Sequence, residues 1–435
     1  MLRSHLIKPL IGEYYPTIDY GKGIYLYDDS GQEYIDACSG AVTANLGHGM
    51  EDILQSIVQQ GNKVAFVYRS QFSNQPAEEL AAFLYEKTGY AWSFFVNSGS
   101  EAVETAIKIA IQHWQEQGRS SKTRILSRWL SYHGITMGAL SASGHPVRRE
   151  RFDSHLGDWP TVEPPYCLRC PFGKEYPSCG LFCADQLDTM IRRIGSDQIA
   201  AFVAEPVIGA AGGAIVPPKG YETRIREICD HHDILYISDE VMTGCGRTGT
   251  FLTLEQSGVE ADIVTIGKGL SAGYAPIAAT LVSDRVMNPV LSGSKVVMSG
   301  HTFSGNPLSA AAALAVLKLI DKEDIISQVQ SKGTYIRNLL EKLKGEFPFI
   351  EEVRGKGLLI GLEMVEGAGS PFTSLIVKKG IQNGILLYPA AAGVDGRSGS
   401  AIMIAPPLNS SKRDLEEICL RLKAALRESA TEWKE

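Results

Sequence analysis

The sequence has no apolar run approaching the ~20 residues that a helix needs to cross a bilayer, no cluster of lysine and arginine, no internal repeat and no low-complexity linker. The first absence argues against a membrane span. The second, with a formal net charge of −7, argues against a nucleic-acid surface. The N-terminus, Met1-Leu-Arg-Ser-His-Leu-Ile-Lys-Pro9, lacks the apolar core of a secretory leader, so the expected compartment is the cytosol. Cysteine is sparse, eight in 435 residues, and a reducing compartment speaks against a disulfide framework. Hydrophobic residues make up 44% and charged residues 21%, which excludes a disordered or fibrous chain. The length leaves room for two or three lobes at about 150 residues each.

What is present is an alternation of short apolar runs and amphipathic stretches. Gly23-Ile-Tyr-Leu-Tyr-Asp28, a turn at 29–31 and Glu33-Tyr-Ile-Asp36 read as a hairpin. From about residue 93 the runs at 93–96, 124–127, 199–204, 234–238, 263–266 and 277–282 read as buried strands. Between the first two, 101–117 places Val103, Ile107, Ala110 and Trp114 on one helical face. This alternation predicts an α/β fold, a mostly parallel sheet covered by helices on both faces. Residues 309–345 read as helices, 358–363 and 385–388 as strands, and 411–433 as a closing helix. The expected organisation is a large central domain at 61–320, with 1–60 and 321–435 packed together as a small α/β domain.

Ligands of open α/β sheets collect beyond the carboxyl ends of the strands. Asn97-Ser-Gly-Ser-Glu-Ala102 follows the first central strand and opens a helix. Gly99 and Ser100 there offer N–H groups to a phosphate, although Ser-Gly-Ser also serves as an ordinary helix cap. Tyr132-His-Gly134 offers an aromatic plate, or a packed tyrosine. Glu205-Pro and Asp239-Glu-Val241 put carboxylates at strand ends, where they need cationic partners. Gly267-Lys268-Gly269 puts an amine directly after a buried strand, where its pKa can fall far enough for Schiff-base chemistry. A phosphate cradle, a plate for a flat ring, an acid for a ring nitrogen and an amine for an aldehyde together match the needs of pyridoxal 5'-phosphate.

The segments Asn97-Ser-Gly-Ser-Glu-Ala-Val-Glu104, Asp239-Glu-Val-Met-Thr-Gly-Cys-Gly-Arg-Thr-Gly249, Gly267-Lys-Gly-Leu-Ser-Ala-Gly-Tyr-Ala-Pro-Ile277 and His301-Thr-Phe-Ser-Gly-Asn-Pro307 resemble those of class III, fold type I, pyridoxal-phosphate aminotransferases. The resemblance runs over nearly the whole chain and extends to ω-amino acid:pyruvate transaminases and uncharacterised bacillus-type members. It implies that Lys268 carries the cofactor as a Schiff base and shuttles the substrate proton, while Asp239 holds the ring nitrogen protonated. It implies further that Tyr132 and Val241 cover the two ring faces and that Gly99 and Ser100 hold the phosphate. The residue matching Thr302 reaches the phosphate of a neighbouring subunit, which implies a homodimer with shared active sites. Glu205 matches a carboxylate near the substrate gate, or pairs with a structural arginine. The implied partners are an amine or ω-/β-amino acid donor and a 2-oxo acid acceptor such as pyruvate.

Two features depart from the resemblance. Many relatives carry an arginine where Ile402-Met403-Ile-Ala-Pro-Pro-Leu408 has Met403, which weakens an α-amino-acid clamp. Arg397, in the glycine-rich loop 393–399, is the candidate to bind the acceptor carboxylate instead, or is a solvated loop residue. Cys167-x2-Cys170 and Cys179-x3-Cys183 have spacing that suits a structural zinc, or are reduced thiols. Two other readings stand beside an aminotransferase: a racemase or decarboxylase on the same scaffold, and a non-catalytic scaffold organised by a zinc loop.

Overall fold

A computed structural model describes residues 5–434. Residues 1–4 and Glu435 lie outside it, and with them part of the segment read for a leader and both extremes of the expected small domain. The apolar runs form a seven-stranded sheet in the spatial order Trp92–Val96, Ala278–Val282, Ile263–Ile266, Leu235–Asp239, Ile199–Ala204, Arg124–Arg128, Thr161–Val162. Ala278–Val282 runs antiparallel to both its neighbours, and the pairings from Ile263–Ile266 to the far edge are all parallel. The sheet is therefore the mostly parallel one expected. The two-residue edge strand Thr161–Val162 had no signal in the sequence, because it is too short to show a period.

The strands read as continuous apolar runs because both faces are covered. Ala201, Val203, Leu235, Ile237 and Ile263 point to one side, where they pack with Val103, Ile107, Ala110 and Trp114 of the helix Gly99–Glu116. Phe202, Ala204, Tyr236, Val264 and Ile266 point to the other, against Leu187 and Ile191 of Phe182–Ile194 and Ile225 and Ile228 of Tyr221–His231. Trp114 also donates from its indole N–H to the Ala200 carbonyl at 2.9 Å, so its single polar atom is satisfied in the core.

Two four-stranded sheets come from the chain ends. One joins Ile18–Lys22, Tyr25–Asp28 and Glu33–Asp36 to Ile385–Leu386, the last pairing parallel. The other is antiparallel, in the order Ile350–Lys356, Leu359–Met364, Ala401–Ile404, Tyr388–Ala390. The predicted hairpin is there, extended by Ile18–Lys22. The run 385–388, read as one strand, is divided between the two sheets. Pro307–Lys322, Ile325–Glu346 and Lys412–Lys434 are the helices expected in the last third.

Candidate active site

Three strand ends and one helix start converge on a cavity of about 180 Å³. Its walls include Gly99, Ser100, Tyr132, Glu205, Asp239, Val241 and Lys268, so seven of the residues singled out in the sequence share one space. They lie far apart in the chain. Parallel strands collect them because successive strands end on the same edge of the sheet.

Asp239 is the last residue of Leu235–Asp239 and is buried. Its Oδ2 lies 2.7 Å from His133 Nδ1, and a carboxylate only accepts, so that nitrogen carries the proton. Its Oδ1 accepts from Thr265 Oγ1 at 3.0 Å and from the Val241 amide at 3.1 Å. Thr265 sits directly across the strand pair from Asp239, which explains a hydroxyl in the otherwise apolar run 263–266. The next residue, Glu240, lies outside the cavity wall. Its carboxylate accepts from the amides of Thr253 and Leu254 at 2.7 and 3.1 Å and from Thr243 Oγ1 at 2.9 Å, and burial pushes it up to about 7.

Lys268 starts the short turn that follows Ile263–Ile266 and holds a left-handed φ of 44°, a costly conformation for a side chain of this length. Desolvation pulls its ammonium from 10.5 down to about 8; Asp239 and Glu205 oppose the fall, and the charge of Arg148 adds to it. Glu205 follows Ile199–Ala204 and is buried. Its Oε1 accepts from the Tyr132 amide at 2.9 Å and its Oε2 from the Gly209 amide at 3.0 Å, while burial raises its pKa. The arginine beside it, Arg128, donates to the Glu205 carbonyl at 2.5 Å and not to its carboxylate. The Glu205 side chain thus fixes the backbone under Tyr132.

The helix Gly99–Glu116 is capped by Ser98, whose hydroxyl accepts from the Glu101 amide at 3.3 Å. The cap and the cradle coexist, since the first-turn amides of Gly99 and Ser100 have no partner within the helix. A Cβ on Gly99 would come within 2.7 Å of Val241 Cγ1, and one on Gly134, at φ +140°, within 2.5 Å of Ser100 Oγ. Small residues hold this corner open. The buried Nε2 of His133 has no hydrogen-bond partner among the described residues. An open cradle at a helix N-terminus, an orphan ring nitrogen behind a strand-end acid and a lysine with a lowered pKa fit a phosphorylated pyridine aldehyde.

The remaining candidates lie away from the cavity. Thr302 is exposed beside Phe303, which is 55% exposed. Arg397 is tied at the surface to Glu150 Oε2 at 2.5 Å and reaches the Pro146 carbonyl at 3.5 Å. Met403 is buried and pairs across the sheet with Tyr388. Cys167, Cys170, Cys179 and Cys183 are free thiols, and among the described residues no three His, Cys, Asp or Glu side chains are grouped to hold a metal ion. The sequence reading missed His133 as the partner of Asp239. It also missed Thr265 and Arg148. The position of Thr265 in an apolar strand was the one available signal.

The sequence profile of the family described as aminotransferase class-III matches residues 12–426. An uncharacterized aminotransferase, YodT, of Bacillus subtilis is 48% identical over 96% of each chain. The putrescine–pyruvate aminotransferase of Pseudomonas aeruginosa is 30% identical, over 95% of this chain and 91% of that one. An amine transaminase from an uncultivated Pseudomonas species, solved in its pyridoxal-phosphate-bound form, superposes with a TM-score of 0.91 at 32% identity, covering 98% of this chain and 99% of its own. Class III aminotransferases depend on pyridoxal phosphate. Among the described residues no helix is long and apolar enough to cross a membrane.

Proposed function

The chain belongs to the class III aminotransferases, and on that premise we propose that it moves an amino group from an amine or an ω- or β-amino acid to a 2-oxo acid such as pyruvate, in the cytosol. The observation that carries this reading is the meeting of Lys268 and Asp239 in one cavity, each at the end of an adjacent strand. The transamination named in the putrescine–pyruvate relative, and the amine transaminase that superposes on the chain, support the donor class.

When bound, pyridoxal phosphate supplies an aldehyde that condenses with amines and a ring that withdraws electrons from the neighbouring carbon. Lys268 would hold that aldehyde, and its lowered pKa leaves a useful share of Nζ unprotonated near neutrality. Once free, the same Nζ would take a proton from the substrate carbon and return it on the far side of the nitrogen, two bonds away. Asp239 would accept from the ring nitrogen. His133 Nδ1, Thr265 Oγ1 and the Val241 amide fix its carboxylate, so no reorganisation is needed. Gly99 and Ser100 would donate to the phosphate, Tyr132 and Val241 would bound the ring, and Glu205 would hold Tyr132 in place beneath the substrate.

The reading includes a homodimer whose sites are shared through Thr302. Thr302 stands outside its own cavity, next to exposed Phe303, whose ring meets exposed Phe66 edge to face, a pair that water solvates poorly and a second subunit would cover. The parallel pairing of Glu33–Asp36 with Ile385–Leu386 supports treating 1–60 and 321–435 as one small domain beside a large one at 61–320.

The test is the first half-reaction. Holoenzyme given an amine alone should lose its yellow colour and release one carbonyl product per site, and pyruvate should restore the colour. A racemase would invert the donor without lasting bleaching, and a decarboxylase would release carbon dioxide; either result would replace the aminotransferase reading.

A further inference from the structure

A substrate that carries a carboxylate meets an awkward charge balance in this cavity. Its charged walls are the carboxylates of Glu205 and Asp239 and the amine of Lys268, and on the proposed reading Lys268 is committed to the cofactor. Position 403, where many relatives carry an arginine, is a buried methionine paired across the sheet with Tyr388, and so supplies no cation. The nearby arginines have other duties. Arg128 serves the Glu205 carbonyl, Arg354 binds Glu352 and Glu363, and Arg397 binds Glu150.

Arg148 differs from all of these. It is exposed, and among the described residues no carboxylate lies within ion-pair distance of it. Its guanidinium carbon stands 4.6 Å from the centre of the Tyr132 ring, a wall of the cavity. Its charge is felt inside: it adds to the burial that lowers Lys268 and opposes the burial that raises Tyr388. The two residues that follow it are held in place. Arg149 Nη1 donates to the carbonyls of Leu140, Ser141 and Ser143 at 3.2, 3.0 and 3.0 Å, and Glu150 is clasped by Arg397. The result is a fixed short helix, Pro146–Arg149, presenting one uncommitted guanidinium at the rim.

We propose that Arg148 is the carboxylate-binding residue of this aminotransferase, receiving the acid group of the 2-oxo acid acceptor and of amino-acid donors. The proposal rests on the aminotransferase reading. The planar fork of a guanidinium binds a carboxylate through two parallel N–H donors, and Tyr132 keeps it in place when no acid is bound. Amines without a carboxylate would pass the same rim and leave Arg148 on the tyrosine. Arg397 then acts on the substrate only indirectly, as a brace for the segment that carries Arg148.

The experiment compares holoenzyme of wild type, Arg148→Ala and Arg148→Lys. Calorimetry with propanoate, an acid that cannot react, reads binding without turnover, and KM is measured for pyruvate and for acetaldehyde, its counterpart lacking the carboxylate. Arg148→Ala should weaken propanoate and raise the pyruvate KM by about 10- to 100-fold, with a much smaller change for acetaldehyde. Arg148→Lys should recover part of the loss. Equal shifts for pyruvate and acetaldehyde would overturn the proposal. So would undiminished propanoate binding in the alanine variant, no saturable propanoate binding to wild type, or a loss of cofactor on substitution. Propanoate binding needs no catalysis, so a failure of transamination itself is told apart from a failure of Arg148.

Discussion

The floor and the rim of the cavity are built on different terms. On the floor, Asp239 has three donors, Glu205 has two, and both are buried at strand ends that hydrogen bonds to adjacent strands hold in register. At the rim, Arg148 lies against a ring face with no ion-pair partner among the described residues, and Arg397 and Glu150 form an ion pair in which each partner is nearly half exposed. Buried polar groups with every bond made cost little reorganisation when charge moves, so the floor suits chemistry common to all substrates. Exposed charges are screened and cheap to rearrange, so the rim suits discrimination between substrates. Substitutions on the floor should therefore slow every donor, and those on the rim should sort donors and acceptors by charge.

The largest effect should come from Lys268→Ala, which removes both the cofactor anchor and the proton carrier. Turnover should fall by at least about a thousandfold, with the yellow colour lost and the fold kept, as read by kcat and circular dichroism. Asp239→Asn keeps the shape but not the charge, and kcat should drop about a hundredfold or more for amines and amino acids alike. A drop confined to one substrate class would erase the distinction between floor and rim. Thr265→Val removes one of three donors to Asp239. It should cost about 1 kcal/mol in thermal unfolding and a few-fold in kcat, with KM for pyruvate little moved. Arg397→Ala, at the surface, should raise the pyruvate KM by less than about fivefold, the scale of an exposed ion pair. A larger rise than that of Arg148→Ala would make Arg397 the carboxylate ligand.

The pH dependence sharpens the same contrast. Burial disfavours the charged form of Lys268, so its folded pKa of about 8 lies below the solvated 10.5. The apoprotein's capture of an aldehyde at Lys268 should climb tenfold per pH unit up to about 8 and then level, whereas a solvated lysine would go on climbing to 10.5. The folded chain sheds this proton before the unfolded one does, so apoprotein stability should rise with pH across that window. Thermal melts of apoprotein and of Lys268→Met, in which the rise should vanish, would check it.

Most of the floor was legible in the sequence because it follows from local pattern. A buried parallel strand announces itself as an apolar run, and a charged residue at its end stands out: Asp239, Glu205 and Lys268 were all found that way. The choice of Asp239 over its neighbour Glu240 came from the family resemblance. The structure adds the local reason, since Glu240 is taken by Thr253, Leu254 and Thr243 outside the cavity wall. His133 was visible as a residue but not as a partner of Asp239, because the contact spans 106 positions of chain. Thr161–Val162 and the division of 385–390 between two sheets were not legible, since strands of two or three residues have no measurable period.

Composition and periodicity alone determined a chain without long apolar spans, an α/β alternation, and the residue types a pyridine aldehyde needs, because these depend on side chains near one another in sequence. The tertiary structure decided which of those residues share a cavity, which carboxylate Arg397 clasps, and that Arg148 is left uncommitted. Such pairings join elements tens to hundreds of residues apart. They are settled by how strands order themselves in a sheet and how loops pack across its edge, and no local pattern records that.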